Sequence, residues 1–116
     1  MAGATLTGAD LRGAILPAAP KIDNIHRTVY AAASRPGALD MEYWHTSETT
    51  HSRAGWVVTS AGDAGLKLEE SVGTATAAIL IYLASDPTID RVPDFYSENA
   101  EALADMKRLA DAEEAR

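Results

Sequence analysis

A mainly α-helical fold, a bundle of four to five helices preceded by a short N-terminal segment of different character, is predicted by three features of the sequence. Apolar residues recur at spacings of three and four from Ile22, from Ala54 and from Leu103. Pro36-Gly37, Gly73 and Asp86-Pro87 punctuate these stretches where helices should stop. The chain has 116 residues, 47% hydrophobic and 23% charged, which suits one globular core. It divides into a repeat-like segment over 1–20 and a helical domain over 21–116.

From Gly3 the chain reads Gly-Ala-Thr-Leu-Thr, Gly-Ala-Asp-Leu-Arg and Gly-Ala-Ile-Leu-Pro, so that Leu6, Leu11 and Leu16 fall in register at a period of five. This resembles the pentapeptide-repeat family, whose A-(D/N)-L-x-x units build a four-sided β-helix with the Leu and the preceding small residue pointing inward. The resemblance implies a β-helix-like segment. Three units make less than one coil, and a coil buries its face only against a neighbour. Leu6, Leu11 and Leu16 are therefore expected to lie on the helical body, to stack on a second subunit, or to belong to the stump of a longer repeat array.

After Pro20, Asp23 can cap a first helix that buries Ile22, Ile25, Val29 and Ala32 or Ala33. His26 is expected at its boundary. A single long helix is expected over 53–71, with Ala54, Val57, Val58, Ala61, Leu68 and Val72 on one face. Its glycines, Gly55, Gly62 and Gly65, weaken it by roughly 1 kcal/mol each relative to Ala. Close approach of another helix would explain them; a break at Gly62 recapped by Asp63 is the alternative. Thr74 can cap a third helix, apolar almost all round from Ala75 to Ala84, which places it at the centre or under another subunit. Ser97 can cap the last helix, whose buried face is Leu103, Met106, Leu109 and Ala110, and whose end at 111–116 is expected to fray.

The densest polar stretch is 44–53, with two of the three histidines in it. His45, Glu48 and His51 offer two imidazoles and a carboxylate, ligand types that zinc accepts, although the H-E-x-x-H spacing is absent. Ser47 or Ser52 beside His51 or His45, oriented by Glu48, is the corresponding nucleophile reading, but no nucleophile-elbow glycines flank either serine. The preferred reading is structural: Thr49, Thr50 or Ser52 caps the next helix, and the histidines hydrogen-bond in a loop under Trp44 and Trp56. Arg53 is expected in a surface ion pair.

Trp44-His45-Thr46, Thr50-His51, Arg53-Ala54-Gly55-Trp56-Val57-Val58 and Pro93-Asp94-Phe95-Tyr96, taken together, look like a small uncharacterised bacterial helical domain found with pentapeptide repeats. That resemblance implies cysteines in relatives at the positions of Ser47 and Ser52. It further implies an engineered Cys-to-Ser variant with any thiolate chemistry disabled.

Ten Lys and Arg against seventeen Asp and Glu leave a charge of −7 with no basic cluster, which argues against nucleic acid and anionic membranes as partners. The absence of cysteine excludes disulfides and thiolate chemistry. The longest apolar stretch is half a membrane span, and the first residues lack the basic and hydrophobic regions of a secretory leader, so a cytoplasmic location is expected. The function expected is that of a structural or interaction module that self-associates as a homo-oligomer, with no cofactor. Its expected contacts are Leu6, Leu11, Leu16, Gly55, Gly62, Gly65, Ile79 and Tyr82. The alternatives are a small metal-binding protein or enzyme built on His45, Glu48 and His51, and a small-molecule site lined by Trp44, Trp56, Phe95 and Tyr96.

Overall fold

The computed structural model describes residues 19–89, 91 and 93–115. Five helices occupy the described residues: α1 (Ile25–Ala33), α2 (Arg53–Ser60), α3 (Gly62–Val72), α4 (Thr74–Ser85) and α5 (Asn99–Glu114). The fold is thus mainly helical, and no strand occurs among the described residues, where extended backbone pairs only in isolated bridges such as Leu39–His51 and His45–His51. The β-helix-like segment expected around Leu6, Leu11 and Leu16 lies outside the described residues. No helix among them is long and apolar enough to cross a membrane.

Helix α1 buries Ile25, Val29 and Ala33, the face that their spacing dictates, with Ile22 just ahead of it. Its N-cap is Asn24, not Asp23, and it sits in the left-handed region (φ 52°) that Asn tolerates better than most residues. No local side chain caps the helix. Glu113, in the last turn of α5, supplies the acceptors: His26 N donates to Oε2 at 3.2 Å and Arg27 N to Oε1 at 2.9 Å. A carboxylate at this end also complements the helix dipole. The stretch expected to fray is therefore held at Glu113, where α5 lies along α1.

The helix expected over 53–71 is two helices, because Gly62 takes φ +70° and turns the chain between α2 and α3. Gly65 in the first turn of α3 lies so close to α2 that a Cβ there would run into the Val58 carbonyl oxygen. The close approach that explains Gly65 thus comes from the chain's own preceding helix.

Helix α4 packs on α2 and α3, and residues 77–82 are buried. Tyr82 lies between the His26 ring, 5.7 Å away and stacked, and the Phe95 ring at 6.3 Å, so α1 and the segment before α5 cover the side that α2 and α3 leave. His26 is 2% exposed, a core side chain and not the boundary one expected, and its Nε2–H donates to Asp86 Oδ2 at 2.7 Å. Burial pushes the Asp86 carboxyl up, but hydrogen bonds from Thr88 and His26 outweigh it and hold it below the ordinary carboxylate value.

Arg53 departs most from expectation: its side chain is 1% exposed, where a surface ion pair was predicted. From the start of α2 its Nε donates to the Tyr82 hydroxyl of α4 at 3.1 Å and its Nη1 to Asp105 Oδ2 of α5 at 2.7 Å. The guanidinium carbon lies 5.6 Å from the Tyr82 ring centroid, and the buried Nη2 has no hydrogen-bond partner. Asp105 also accepts from Arg108 at 2.6 Å. Burial pushes the Asp105 carboxyl up, yet the two arginines prevail and keep it low.

Two outcomes are expected in urea denaturation. Glu113→Ala should cost about 1 kcal/mol, the usual value of a lost cap. Asp105→Ala should cost about 2 kcal/mol, below the range for a fully buried pair because Asp105 is 35% exposed. That cost should largely vanish in an Arg53→Met background, since no buried charge is then left unpaired.

Candidate functional site

Residues 37–52, which join α1 to α2, are fastened by main-chain and side-chain bonds in both directions. Asp40 N donates to His51 O and His51 N to Ala38 O, both at 3.1 Å, and Trp56 Nε1 reaches Ala38 O at 2.7 Å. Asn99, the first residue of α5, clamps the loop from the other side: its Oδ1 accepts from Met41 N at 2.8 Å and its Nδ2 donates to Leu39 O at 3.2 Å. Ser52 is the N-cap of α2, as anticipated for one of Thr49, Thr50 or Ser52; its Oγ accepts from Gly55 N at 3.1 Å. A Cβ on Gly55 would collide with the Trp44 carbonyl oxygen, so Gly55 leaves room for this loop, not for a second helix.

Within the loop the histidines form one chain of hydrogen bonds. His51 Nε2 lies 3.0 Å from Glu48 O, His45 and His51 meet through their Nδ1 atoms at 2.7 Å, and His45 Nε2 lies 2.6 Å from Glu69 Oε2. A carbonyl only accepts, so His51 Nε2 carries a proton and, with the ring neutral, His51 Nδ1 accepts from His45 Nδ1–H. A proton must also lie between His45 Nε2 and the Glu69 carboxylate, and Thr74 Oγ1 completes the chain by donating to Glu69 Oε2 at 2.7 Å. Burial lowers the His51 pKa below its ordinary 6.5; His45 adds to the shift, while the Glu48 hydrogen bond and Glu69 oppose it. The ring also packs edge-on against Trp56, centroids 4.6 Å apart.

Beside this network the surface opens into a groove. Its central cavity, about 280 Å³, is lined by Met41, Glu42, Tyr43, Trp44, Phe95 and Tyr96. Tyr43 and Tyr96 are 63% and 62% exposed, high values for rings of this size. A cavity of about 390 Å³ adjoins it through Met41, Glu42 and Tyr96 and reaches Glu98 and Asn99. Another, of about 180 Å³, adjoins it through Trp44 and Tyr96 and reaches the α3–α4 turn at Gly73 and Thr74. A separate cavity of about 440 Å³ lies between α5 and Ile89, Arg91, Pro93 and Asp94, where Arg91 and Arg108 stand beside Asp94 and Asp105.

The predicted site residues are only partly brought together. His45 and His51 touch, whereas Glu48 reaches them through its backbone carbonyl and its side chain is exposed. The Ser47 hydroxyl bonds within its turn, to Thr49, and Ser52 is engaged as a cap that also donates to Trp44 O. No serine Oγ is bonded to either histidine ring. Among the described residues no group of three or more His, Cys, Asp or Glu is arranged to hold a metal ion. Of the expected contact residues, Gly55, Gly65, Ile79 and Tyr82 are buried in the single chain, and Gly62 is exposed in its turn. Trp44, Phe95 and Tyr96 do share a cavity, but Trp56 stands apart from it, 6% exposed beneath His51. Glu69 and Asp105 were missed because their partners lie 24 and 52 positions away.

No protein-family model matches this chain, and neither does any curated protein or solved structure. Both resemblances are corrected accordingly: neither a pentapeptide-repeat relationship nor membership of a small helical bacterial family is supported, and the described residues contain no strand. The inference that Ser47 and Ser52 replace cysteines in an engineered variant falls with them. Ser52 has its own reason to be serine, since it is among the best N-cap residues.

The histidine chain makes a pH prediction. Between 6.5 and the lower folded value the unfolded chain binds a proton at His51 that the folded chain does not. Stability contributed by neutral His51 is therefore whole above pH 6.5 and declines as the pH falls through that window. Ring ¹⁵N shifts should report the Nε2–H form for neutral His51 and a titration midpoint below 6.5; a His51 that titrates at or above its ordinary value contradicts the arrangement.

Proposed function

We propose that the protein is a structural interaction module that docks another polypeptide in the groove around Trp44 and Tyr96. The observation that carries this reading is that Tyr43 and Tyr96, two largely exposed rings, line one partly apolar cavity. Exposed apolar groups gathered in one concavity mark contact surfaces, whereas scattered ones do not. The histidine loop supports the same choice over the metal or catalytic alternative. All four ring nitrogens of His45 and His51 are engaged within the chain, so neither ring has a nitrogen left to bind a metal or take a substrate proton.

Self-association is the second reading; of the contacts expected for it, Leu6, Leu11 and Leu16 lie outside the described residues. Ile79 and Tyr82 are covered internally, so among the described residues a homo-oligomer has Tyr43, Leu66 and Tyr96 as exposed large apolar groups.

The test is selection from a displayed peptide library with counter-selection on a Tyr43→Ser/Tyr96→Ser variant, together with light scattering over a dilution series. Peptides that need both tyrosines are the expected result. A mass above 12.3 kDa that returns to it in the variant makes a second copy the partner. A monomer at every concentration that selects no groove-dependent peptide sinks the interaction reading.

A further inference from the structure

We infer that the groove receives a cationic peptide segment, with an Arg or Lys side chain seated in the corner between the Trp44 and Tyr96 rings; this rests on the groove being a docking surface. The two rings meet at 65° with centroids 5.8 Å apart. They form two adjoining walls of a corner, not a closed stack, and a cation placed there meets electron-rich ring faces. Phe95, 2% exposed, closes the floor.

The charges around the corner agree. Glu42 lines both the central cavity and its larger neighbour, where Asp40 and Glu98 join it, and no Lys or Arg lines any of the three adjoining cavities. Among the described residues no cation pairs with Glu42 or Glu98. Asp40 meets only neutral donors, Glu42 N–H and the Thr46 hydroxyl. The cavity beside α5 differs in this respect, since Arg91 and Arg108 line it together with Asp94 and Asp105. The groove is thus the aromatic concavity whose carboxylates are left for a partner to neutralise.

The shape favours a peptide over a free cation, because the corner continues on both sides, past Tyr96 toward Ser97–Asn99 and past Trp44 toward Gly73–Thr76. A second copy fits poorly. In a two-fold contact the same acidic rim would face itself on a chain that already carries −7.

The experiment is an NMR titration of the full chain, following the Trp44 indole and Tyr96 ring signals, with Gly/Ser peptides that carry paired Arg, Lys, Leu or Glu residues. Arg and Lys peptides should bind about tenfold more tightly than the Leu peptide, the Glu peptide more weakly still, and added salt should weaken the first two. Glu42→Gln/Glu98→Gln, at exposed positions, should keep the melting temperature and lose most of the preference for Arg. A Leu peptide that binds at this corner as tightly as the Arg peptide overturns the cation inference and leaves the docking reading standing. Arginine amide binding as tightly as the Arg peptide overturns the choice of a peptide. If no peptide, charged or apolar, shifts these signals, both readings fail.

Discussion

The buried Arg53 guanidinium is the constraint on which the rest of the structure depends. It joins the start of α2 to Tyr82 of α4 and Asp105 of α5, so one side chain sets the relation of three helices. A charge taken out of water this far is costly unless its donors are met. Asp105 meets one, the Tyr82 hydroxyl another, and the Tyr82 ring face lies under the carbon, while Nη2 is left without a hydrogen bond. Apolar packing tolerates small slides between helices; a hydrogen-bonded ion pair at 2.7 Å does not. Arg53 therefore contributes orientation more than net stability.

The groove inherits its shape from that orientation. Where Asp105 holds α5, Asn99 at the start of the same helix is held too, and Asn99 pins the loop at Leu39 and Met41. Phe95 and Tyr96 stand just ahead of α5 and make one wall; Met41, Tyr43 and Trp44 from the loop make the other. Trp44 is fixed behind by its carbonyl, which accepts from Ser52 N and lies against Gly55. The histidine chain stiffens the same loop from below, linking Glu48 through His51 and His45 to Glu69 and Thr74 on the next helices. Polar residues that resemble a reactive cluster in the sequence are thus spent on holding an aromatic surface in place.

Much of the helical framework was legible, because helix formation follows local rules. Spacings of three and four identified the buried face of α1 and, at Met106 and Ala110, part of that of α5, where Ala102 is buried and Leu103 and Leu109 are only half-buried. Helix α4 stood out by being apolar almost all round, and Gly73 and Asp86-Pro87 marked its limits. Ser52 was legible as a cap for the same reason. The division between α2 and α3 was only half legible: Gly62 was a visible weak point, but its left-handed turn is chosen by the packing of α3 back against Val58.

The residue pattern by itself determined that the chain is helical, where its helices turn inward, and that it offers neither thiolate chemistry nor a basic surface. Tertiary structure alone decided that Arg53 and His26 are interior, that Glu113 caps α1, and that Trp44 meets Tyr96 across 52 positions of chain. The physical reason is one of range. A helical face or a cap is settled by neighbours within one or two turns, whereas a polar or aromatic side chain takes its role from its partner. Each of these partners is placed by the packing of helices distant in sequence.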